Sequence, residues 1–266
     1  MRLALGIEYD GTLFHGWQAQ TGQRTVQHCL EQALSRVANH PVTVIVAGRT
    51  DAGVHASGQV VHFDSDAQRA PRSWILGANS HLPSDVAIQW VQPVADDFHA
   101  RFSALSRHYR YTLYNRPVRS PLTRHRGVWE RRPLVVEAMA TAAACLVGTH
   151  DFSSFRAAGC QAKSPIRTLH RLTVERQGDQ IILDAVANAF LHHMVRNLAG
   201  VLITIGAGER PVEWAEEVLA RRDRTLGGVT APPEGLCLLA VEYPACCFAR
   251  LESAKYFEQR WYPDQE

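Results

Sequence analysis

The chain has 266 residues, of which 46% are hydrophobic and 20% charged, a composition typical of one large globular domain or two of ordinary size. No stretch approaches the ~20 consecutive apolar residues of a membrane helix. The N-terminal residues alternate like a strand and lack the features of a secretory signal. We therefore expect a cytoplasmic protein with no membrane partner.

Positive charge is concentrated in one segment, although the net charge is only +2. Residues 101–132 contain nine arginines and one acidic residue, whereas residues 209–266 contain seven basic and eleven acidic residues. A local basic patch is typical of polyanion binding. All basic residues except Lys163 and Lys255 are arginines, which suit forked phosphate contacts and stacking on bases. A codon-usage bias would give the same excess.

The six cysteines and thirteen histidines show no metal-ligand spacing. No two cysteines form a C-x-x-C pair, and no histidine lies at a zinc-ligand spacing from them. His192 and His193 are contiguous, so their side chains would diverge on a helix. The sequence therefore predicts neither a metal site nor a nucleotide cofactor.

In the first half, hydrophobic periodicity predicts four strands and two helices. Thr25 is the expected N-cap of the first helix, Pro71 opens the second, and a Gly-rich loop at 48–58 separates the second and third strands. In chain order the elements are a strand at 2–9, a helix at 26–38, strands at 42–47 and 59–63, a helix at 71–81 and a strand at 86–92.

The same reading of the second half predicts a similar order of strands and helices, with one additional short helix. The longest apolar stripe belongs to a helix that Gly206 ends, and Pro211 begins a further short helix. The elements are a strand at 107–114, a helix at 134–147, a hairpin at 168–176 and 180–187, a helix at 190–205 and a strand at 236–243.

Each half thus follows the β-α-β-β-α-β pattern of ferredoxin-like folds. We predict an α+β fold of two tandem ferredoxin-like (RRM-like) units with pooled antiparallel sheets, an N-terminal domain at 1–104 and a C-terminal domain at 105–266. Common RNA-binding modules share this topology, but fold alone does not decide function.

The segment from Gly48 to Ala56 is the most informative loop. It leaves a hydrophobic strand and places Asp51 between two glycines, two residues after Arg49. Glycines allow positive φ and close approach of the backbone to a ligand, and such loops often display reactive groups. An ordinary turn built from Asp and Gly is the alternative explanation.

Two further segments carry candidate functional residues. On the strand at 107–114, Tyr109 faces one way and Arg110 the other, which suits base stacking on one face and phosphate binding on the other. Arg196 lies beside the apolar stripe of the helix at 190–205, where a part-buried guanidinium would need a carboxylate partner. A core aromatic strand and a surface arginine that snorkels are the alternatives.

With these segments in view, the sequence resembles the tRNA pseudouridine synthase A family (tRNA pseudouridine synthase I). We find no departure from the family pattern at the matched positions, and residues beyond about 244 match nothing useful. The matching motifs are Tyr9-Asp10-Gly11, Phe14, Gly16-Trp17-Gln18, Thr25-Val26-Gln27, Gly48 through Ala56, Arg107 with Tyr109, His150-Asp151-Phe152, Phe190-Leu191, Met194-Val195-Arg196, and Ala231 through Leu236.

The resemblance implies a cofactor-free and metal-free homodimer that isomerises uridine to pseudouridine at positions 38, 39 and 40 of the tRNA anticodon stem-loop. It makes Asp51 the nucleophile, paired with Arg196, and places Tyr109 over the flipped target base. We expect these three residues to be catalytic. The expected substrate-binding residues are Tyr109, Arg49, Arg107, Arg110 and Leu236.

Two other classes of protein remain as rivals. A non-catalytic RNA-binding protein of two RRM-like units would explain the fold and the basic segment, but not the Gly-flanked Asp51 beside Arg49, and the RRM aromatic signature has no good match. A phosphotransferase with Asp51 as the phosphate acceptor lacks Mg²⁺ ligands and a phosphate loop.

Overall fold

A computed structural model describes residues 1–248 of the chain. Its strands are β1 (Arg2–Tyr9), β2 (Ile45–Val46), β3 (His55–Asp64), β4 (Val86–Val94), β5 (Ser106–Asn115), β6 (Val128–Glu130), β7 (Gly148–Asp151), β8 (Ile166–Gln177), β9 (Gln180–Ala187) and β10 (Leu236–Glu242). Its α-helices are α1 (Val26–Ala38), α2 (Pro71–Asn79), α3 (Val136–Cys145), α4 (Met194–Gly206) and α5 (Trp214–Arg221).

All ten strands form one sheet, whose main path runs β4-β1-β3-β10-β5-β9-β8-β7. β2 pairs with β3, so the first half has the ferredoxin-like strand order β4-β1-β3-β2. The second half repeats this strand order as β10-β5-β9-β8. The α+β class and the two β-α-β-β-α-β units are therefore confirmed.

The two units join through β3 and β10. These strands run parallel, with His55 and Ala56 opposite Cys237 and Leu238, whereas most other neighbouring strands are antiparallel. The pooled sheet is thus mixed rather than wholly antiparallel. The last strand of the second unit lies at the centre of the sheet.

One hydrophobic cluster includes buried residues from both units and from all five α-helices. A smaller cluster around Ala4, Val60 and Phe98 includes the partly buried Trp90 and Phe248. The predicted boundary at residues 104–105 lies between β4 and β5, but the shared core ties the two units together. Division into two domains therefore stays a prediction.

The buried strand predicted at 42–47 is reduced to Ile45–Val46. Val42 and Val44 are buried as expected, but their N–H groups donate to the side chains of Ser35 (2.9 Å) and Glu31 (3.0 Å) on α1. These side chains replace strand partners, so the hydrogen-bond ladder is short. β3 compensates by starting at His55, four residues before the predicted position.

Helix termini differ most from the predictions. Thr25 precedes α1 as expected, but its buried hydroxyl makes no capping bond and has no partner. α4 begins at Met194 rather than at 190, because His193 has a left-handed backbone with φ 61°. Gly206 is the last residue of α4 rather than its stop signal, and Gly208 supplies the positive φ just beyond.

The remaining predicted elements are confirmed with shifted ends, and α2 begins at Pro71 as expected. The short strands β6 and β7 were not predicted, since three or four residues carry too little periodicity to be recognised. Among residues 1–248, no helix is both long and apolar enough to cross a membrane.

Candidate active site

The loop between β2 and β3 is held in place by backbone contacts with the segment after β1. Trp17 donates its N–H to the carbonyl of Thr50 (3.0 Å), and Gly53 donates to Phe14 (3.3 Å). Gly16 has φ 84°, and a Cβ there would lie 2.8 Å from the Thr50 oxygen. Position 16 therefore requires glycine, which explains why the Gly16-Trp17 motif begins with this residue.

Below the loop lies a buried network of uncharged polar groups. The Tyr9 hydroxyl bonds the Thr50 hydroxyl (2.8 Å), while the Gln59 amide donates to Tyr9 (3.3 Å) and to the Gly48 carbonyl (2.7 Å). Burial raises the pKa of Tyr9 to about 12, so its proton stays in place at neutral pH. These bonds fix the backbone on the N-terminal side of Asp51.

Three nitrogen-bearing side chains surround the Asp51 carboxylate, and Arg196 donates a hydrogen bond to it. Arg196 Nη1 lies 3.2 Å from Oδ2, His193 Nε2 lies 3.4 Å from Oδ2, and His192 Nε2 lies 3.2 Å from Oδ1. The Asp51 side chain is 23% exposed and that of Arg196 13%, so the pair borders solvent without being open to it. The predicted pairing of Asp51 with Arg196 is present.

The predicted divergence of His192 and His193 is wrong. Both residues precede α4, and the left-handed φ of His193 turns its ring back towards Asp51. The two ring centroids are only 4.1 Å apart. Desolvation lowers the pKa of His193, which favours the neutral form of the ring beside Asp51.

Tyr109 reaches the same site from β5. Its ring packs edge-on against Phe190 at a centroid distance of 5.1 Å, and its hydroxyl lies 3.7 Å from the position that a Gly48 Cβ would occupy. Burial is the main cause that raises the pKa of Tyr109 far above its usual value, with Tyr9 and Asp51 adding to it. The hydroxyl therefore keeps its proton, as a donor or acid must.

The segment at 231–236 closes the site from the side of β10. The Ala231 carbonyl accepts from Arg196 Nε (2.8 Å), and the Pro232 carbonyl accepts from the Tyr111 hydroxyl (2.8 Å). Leu236 is buried and pairs with Tyr111 across the sheet. Arg196 is thus fixed at two points, a backbone carbonyl and the Asp51 carboxylate.

The other predicted binding residues occupy different environments. Arg49 is part of the loop and exposes its guanidinium, which donates to Gln161 Oε1 at 3.4 Å. Arg107 is buried and donates to four carbonyl oxygens, including that of Ala47 (3.0 Å). Its guanidinium therefore links the strands beneath the loop rather than facing the opening.

Arg110 extends from the opposite face of β5, as the strand alternation predicted. It forms a forked ion pair with Asp184 at 2.9 and 2.8 Å. His108 contacts the same carboxylate at 3.2 Å. Because its guanidinium is already paired and lies on the other face from Tyr109, Arg110 is not brought together with Asp51.

The sequence reasoning missed four site residues: Thr50, Gln59, His192 and His193. The sequence pattern places the two histidines on a helix, where their side chains diverge, and so gives no sign that they meet at Asp51. Gln59 had a signal, a polar residue inside an apolar strand, which usually requires a specific buried partner. Thr50 gave none beyond its position next to Asp51.

The arrangement combines a half-buried carboxylate, a guanidinium that balances its charge, and a protonated phenol above a glycine-lined loop. Such a site can attack or stabilise an electron-poor carbon while a proton moves nearby. Among the described residues, the one group of His, Cys, Asp and Glu side chains close enough to share a metal ion is Asp51, His192 and His193.

The chain matches the family model described as tRNA pseudouridine synthase over residues 6–103 and 142–244. A protein named tRNA pseudouridine synthase A from Alcanivorax borkumensis is 62% identical over 244 residues, which cover 91% of each chain. The protein of that name from Pseudomonas aeruginosa is 57% identical over 91% of this chain and 86% of its own.

One solved chain, from the "Crystal Structure of a Cbf5-Nop10-Gar1 Complex", matches with a TM-score of 0.37 and 9% identity over 98% of this chain and 57% of that one. A similarity this low supports no argument. The family model and the identities do, because the model covers the Asp51 loop and the start of α4, and the identities extend over 91% of the chain. This chain belongs to the tRNA pseudouridine synthase family, whose members are isomerases.

Proposed function

We propose that this chain isomerises uridine to pseudouridine at positions 38, 39 and 40 of the tRNA anticodon stem-loop. Asp51 is the nucleophile, Tyr109 stacks on the uracil and holds a proton for the rearrangement, and Arg196 orients Asp51. The protein acts as a homodimer in the cytoplasm, where bacterial tRNA is found. The reaction needs no cofactor and no metal.

Pseudouridine formation breaks the N1–C1′ bond, turns the base and joins C5 to C1′. The atoms of the substrate are all retained, so the enzyme has to supply only a charge at the right place and a route for one proton. A carboxylate can attack the sugar or the base, or can support positive charge at C1′. Asp51 supplies the charge, and the Tyr109 hydroxyl can give its proton to N1 and take up the proton that leaves C5.

The observation that carries the proposal is the placement of Asp51 itself. Its carboxylate lies 3.2 Å from Arg196 Nη1 and remains 23% exposed. An aspartate that only formed a turn would face solvent, with no reason for three side chains to converge on it. The convergence comes from segments far apart in sequence, at residues 48–54 and 192–196.

A base within the anticodon stem is beyond the reach of Asp51, so the nucleotide has to leave the stack. Extrusion costs a few kcal/mol, which phosphate contacts and stacking must offset. Arg49 is suited to this task, because it lies in the same loop two residues before Asp51, and its guanidinium contacts only a neutral amide in the described part of the chain. It can fill the vacated space or hold a phosphate.

The arginine-rich segment 101–132 would supply non-specific affinity, but only some of its arginines are free to do so. Arg107, Arg110, Arg116, Arg126 and Arg132 bond carbonyls or carboxylates. The four that are exposed and form no ion pair within residues 1–248 are Arg101, Arg119, Arg124 and Arg131. These four are the expected phosphate contacts.

The direct test is to incubate the purified protein with unmodified tRNA and to map pseudouridine at single-nucleotide resolution. We expect new pseudouridine at positions 38, 39 and 40 and no other change in the RNA. A protein that binds tRNA but leaves its uridines unchanged would instead be the non-catalytic RNA-binding protein. Pseudouridine in another arm would contradict the proposed target.

A further inference from the structure

We propose that Asp51, His192 and His193 also form a binding site for a transition-metal ion of the Zn²⁺ type, and that the bound ion inhibits the enzyme by occupying the nucleophile. The inhibition rests on the proposed role of Asp51, whereas the binding itself does not. Two neutral imidazoles and one carboxylate are ligands that Zn²⁺ accepts, and Mg²⁺ prefers oxygen ligands alone.

The ligand atoms are already close to the required spacing. In a tetrahedral zinc site with bonds of 2.0–2.1 Å, neighbouring ligand atoms lie about 3.3–3.4 Å apart. His192 Nε2 and His193 Nε2 lie 3.2 and 3.4 Å from the Asp51 oxygens, and one ligand atom of each residue lies within 4.8 Å of the other two. To share one ion, the two imidazoles have to move closer to each other and to the same carboxylate oxygen.

The imidazoles are free to act as ligands. The His192 side chain is 44% exposed, so its ring can move towards His193 and leave a fourth position open to water. Each ring can bind a metal through Nε2 when its proton moves to Nδ1, without a change in net charge.

Arg196 opposes a second cation, but its contact is confined to one side of the carboxylate. Its Nη1 lies beside Oδ2, and its Nε is held by the Ala231 carbonyl. Oδ1, beside His192, remains the better oxygen for a metal. A metal there takes the lone pair that the nucleophile uses, which is why the ion inhibits rather than activates.

The first measurement is direct binding. The full-length protein is freed of metal with EDTA, dialysed and titrated with Co²⁺, whose visible absorption reports tetrahedral coordination. We expect one equivalent to bind. His192→Asn and His193→Asn should each weaken Co²⁺ binding by about 10-fold or more. Asparagine is chosen because it tolerates the left-handed backbone at position 193. His170→Asn, an exposed histidine of β8, is the matched control and should bind as the wild type does.

The second measurement is inhibition. Micromolar Zn²⁺ should lower the rate of pseudouridine formation at least tenfold and EDTA should restore it, whereas Mg²⁺ at the same concentration has no effect. Absence of saturable Co²⁺ binding, equal binding by both asparagine variants, or full activity with Zn²⁺ bound would each overturn the proposal. If the protein modifies no tRNA under any condition, the proposed function fails, while the Co²⁺ titration still decides whether the metal site exists.

Discussion

The two sides of Asp51 are built from opposite kinds of chemistry. On the β3 side, Tyr9, Thr50 and Gln59 form buried, uncharged hydrogen bonds under the loop. On the α4 side, Arg196 and His193 are partly exposed and bind the carboxylate itself. The groups on the β3 side contact the backbone and the Thr50 hydroxyl of the loop, whereas the groups on the α4 side contact the carboxylate oxygens of Asp51.

This difference separates position from reactivity. Neutral buried bonds do not change with pH or salt in the ordinary range, so they hold the loop in one place. The charged side can respond to substrate, because its groups border solvent and can exchange partners. Changes on the α4 side should therefore act on catalysis, whereas changes on the β3 side should act on stability first.

The largest effect is expected from a substitution of Asp51, whose carboxylate lies between the two sides. Asp51→Asn keeps the size of the side chain and removes the proposed nucleophile, so pseudouridine formation should fall by about 10⁴-fold or more. Binding of tRNA, measured by filter retention or anisotropy, should survive. Turnover at the wild-type rate would remove Asp51 from the mechanism.

Tyr109→Phe comes next. The ring and its packing against Phe190 remain, but the proton is lost, so the rate should fall about 10²-fold. Tyr243→Phe is the matched control, because it also removes a tyrosine hydroxyl, one that is partly buried and donates to the Ala100 carbonyl at 2.6 Å. Equal rates for Tyr109→Phe and wild type would leave the Tyr109 hydroxyl without a chemical role.

Arg196→Ala should lower kcat by about 10-fold to 10²-fold. The variant leaves the Asp51 carboxylate partly buried without its charged donor, and the loss of such a hydrogen bond costs about 1–3 kcal/mol. Arg196→Lys restores the positive charge without the fork that holds both Ala231 and Asp51, and should recover only part of the rate. Single-turnover kinetics separate this loss from changes in tRNA affinity. Full recovery with lysine would show that charge alone matters.

Gln59→Leu tests the uncharged side. It leaves the Gly48 carbonyl without its donor, so the free energy of unfolding should fall by about 1–3 kcal/mol. The rate below the melting temperature should change only a few-fold. A large loss of kcat in a fully folded variant would contradict the division between the two sides.

The smallest effect is expected far from the carboxylate. Arg119→Ala should leave kcat unchanged and make tRNA affinity less dependent on salt. In a plot of log K against the logarithm of the salt concentration, the slope should become less steep by about one unit. Arg116→Ala is the comparison, since Arg116 is already paired with Asp179 at 3.5 Å. Identical salt slopes for wild type and Arg119→Ala would exclude Arg119 as a phosphate contact.

Local patterns in the sequence were sufficient for most of the fold, because β1, α1, α2 and β9 each carry a full period of apolar residues. The Asp51 loop was also recognised, from its glycines and the family motif. The convergence of His192 and His193 was not, since it depends on one left-handed residue that no periodicity signals. The parallel junction of β3 with β10 is likewise a long-range pairing that local patterns do not encode.

The central place of β10 ties the activity of the protein to its synthesis. Asp51 lies in the loop between β2 and β3 and Tyr109 lies on β5, but the strand that joins β3 to β5 starts only at Leu236. A chain that ends before this strand leaves β3 and β5 without their shared partner. We therefore expect the site around Asp51 to assemble only after β10 has been synthesised.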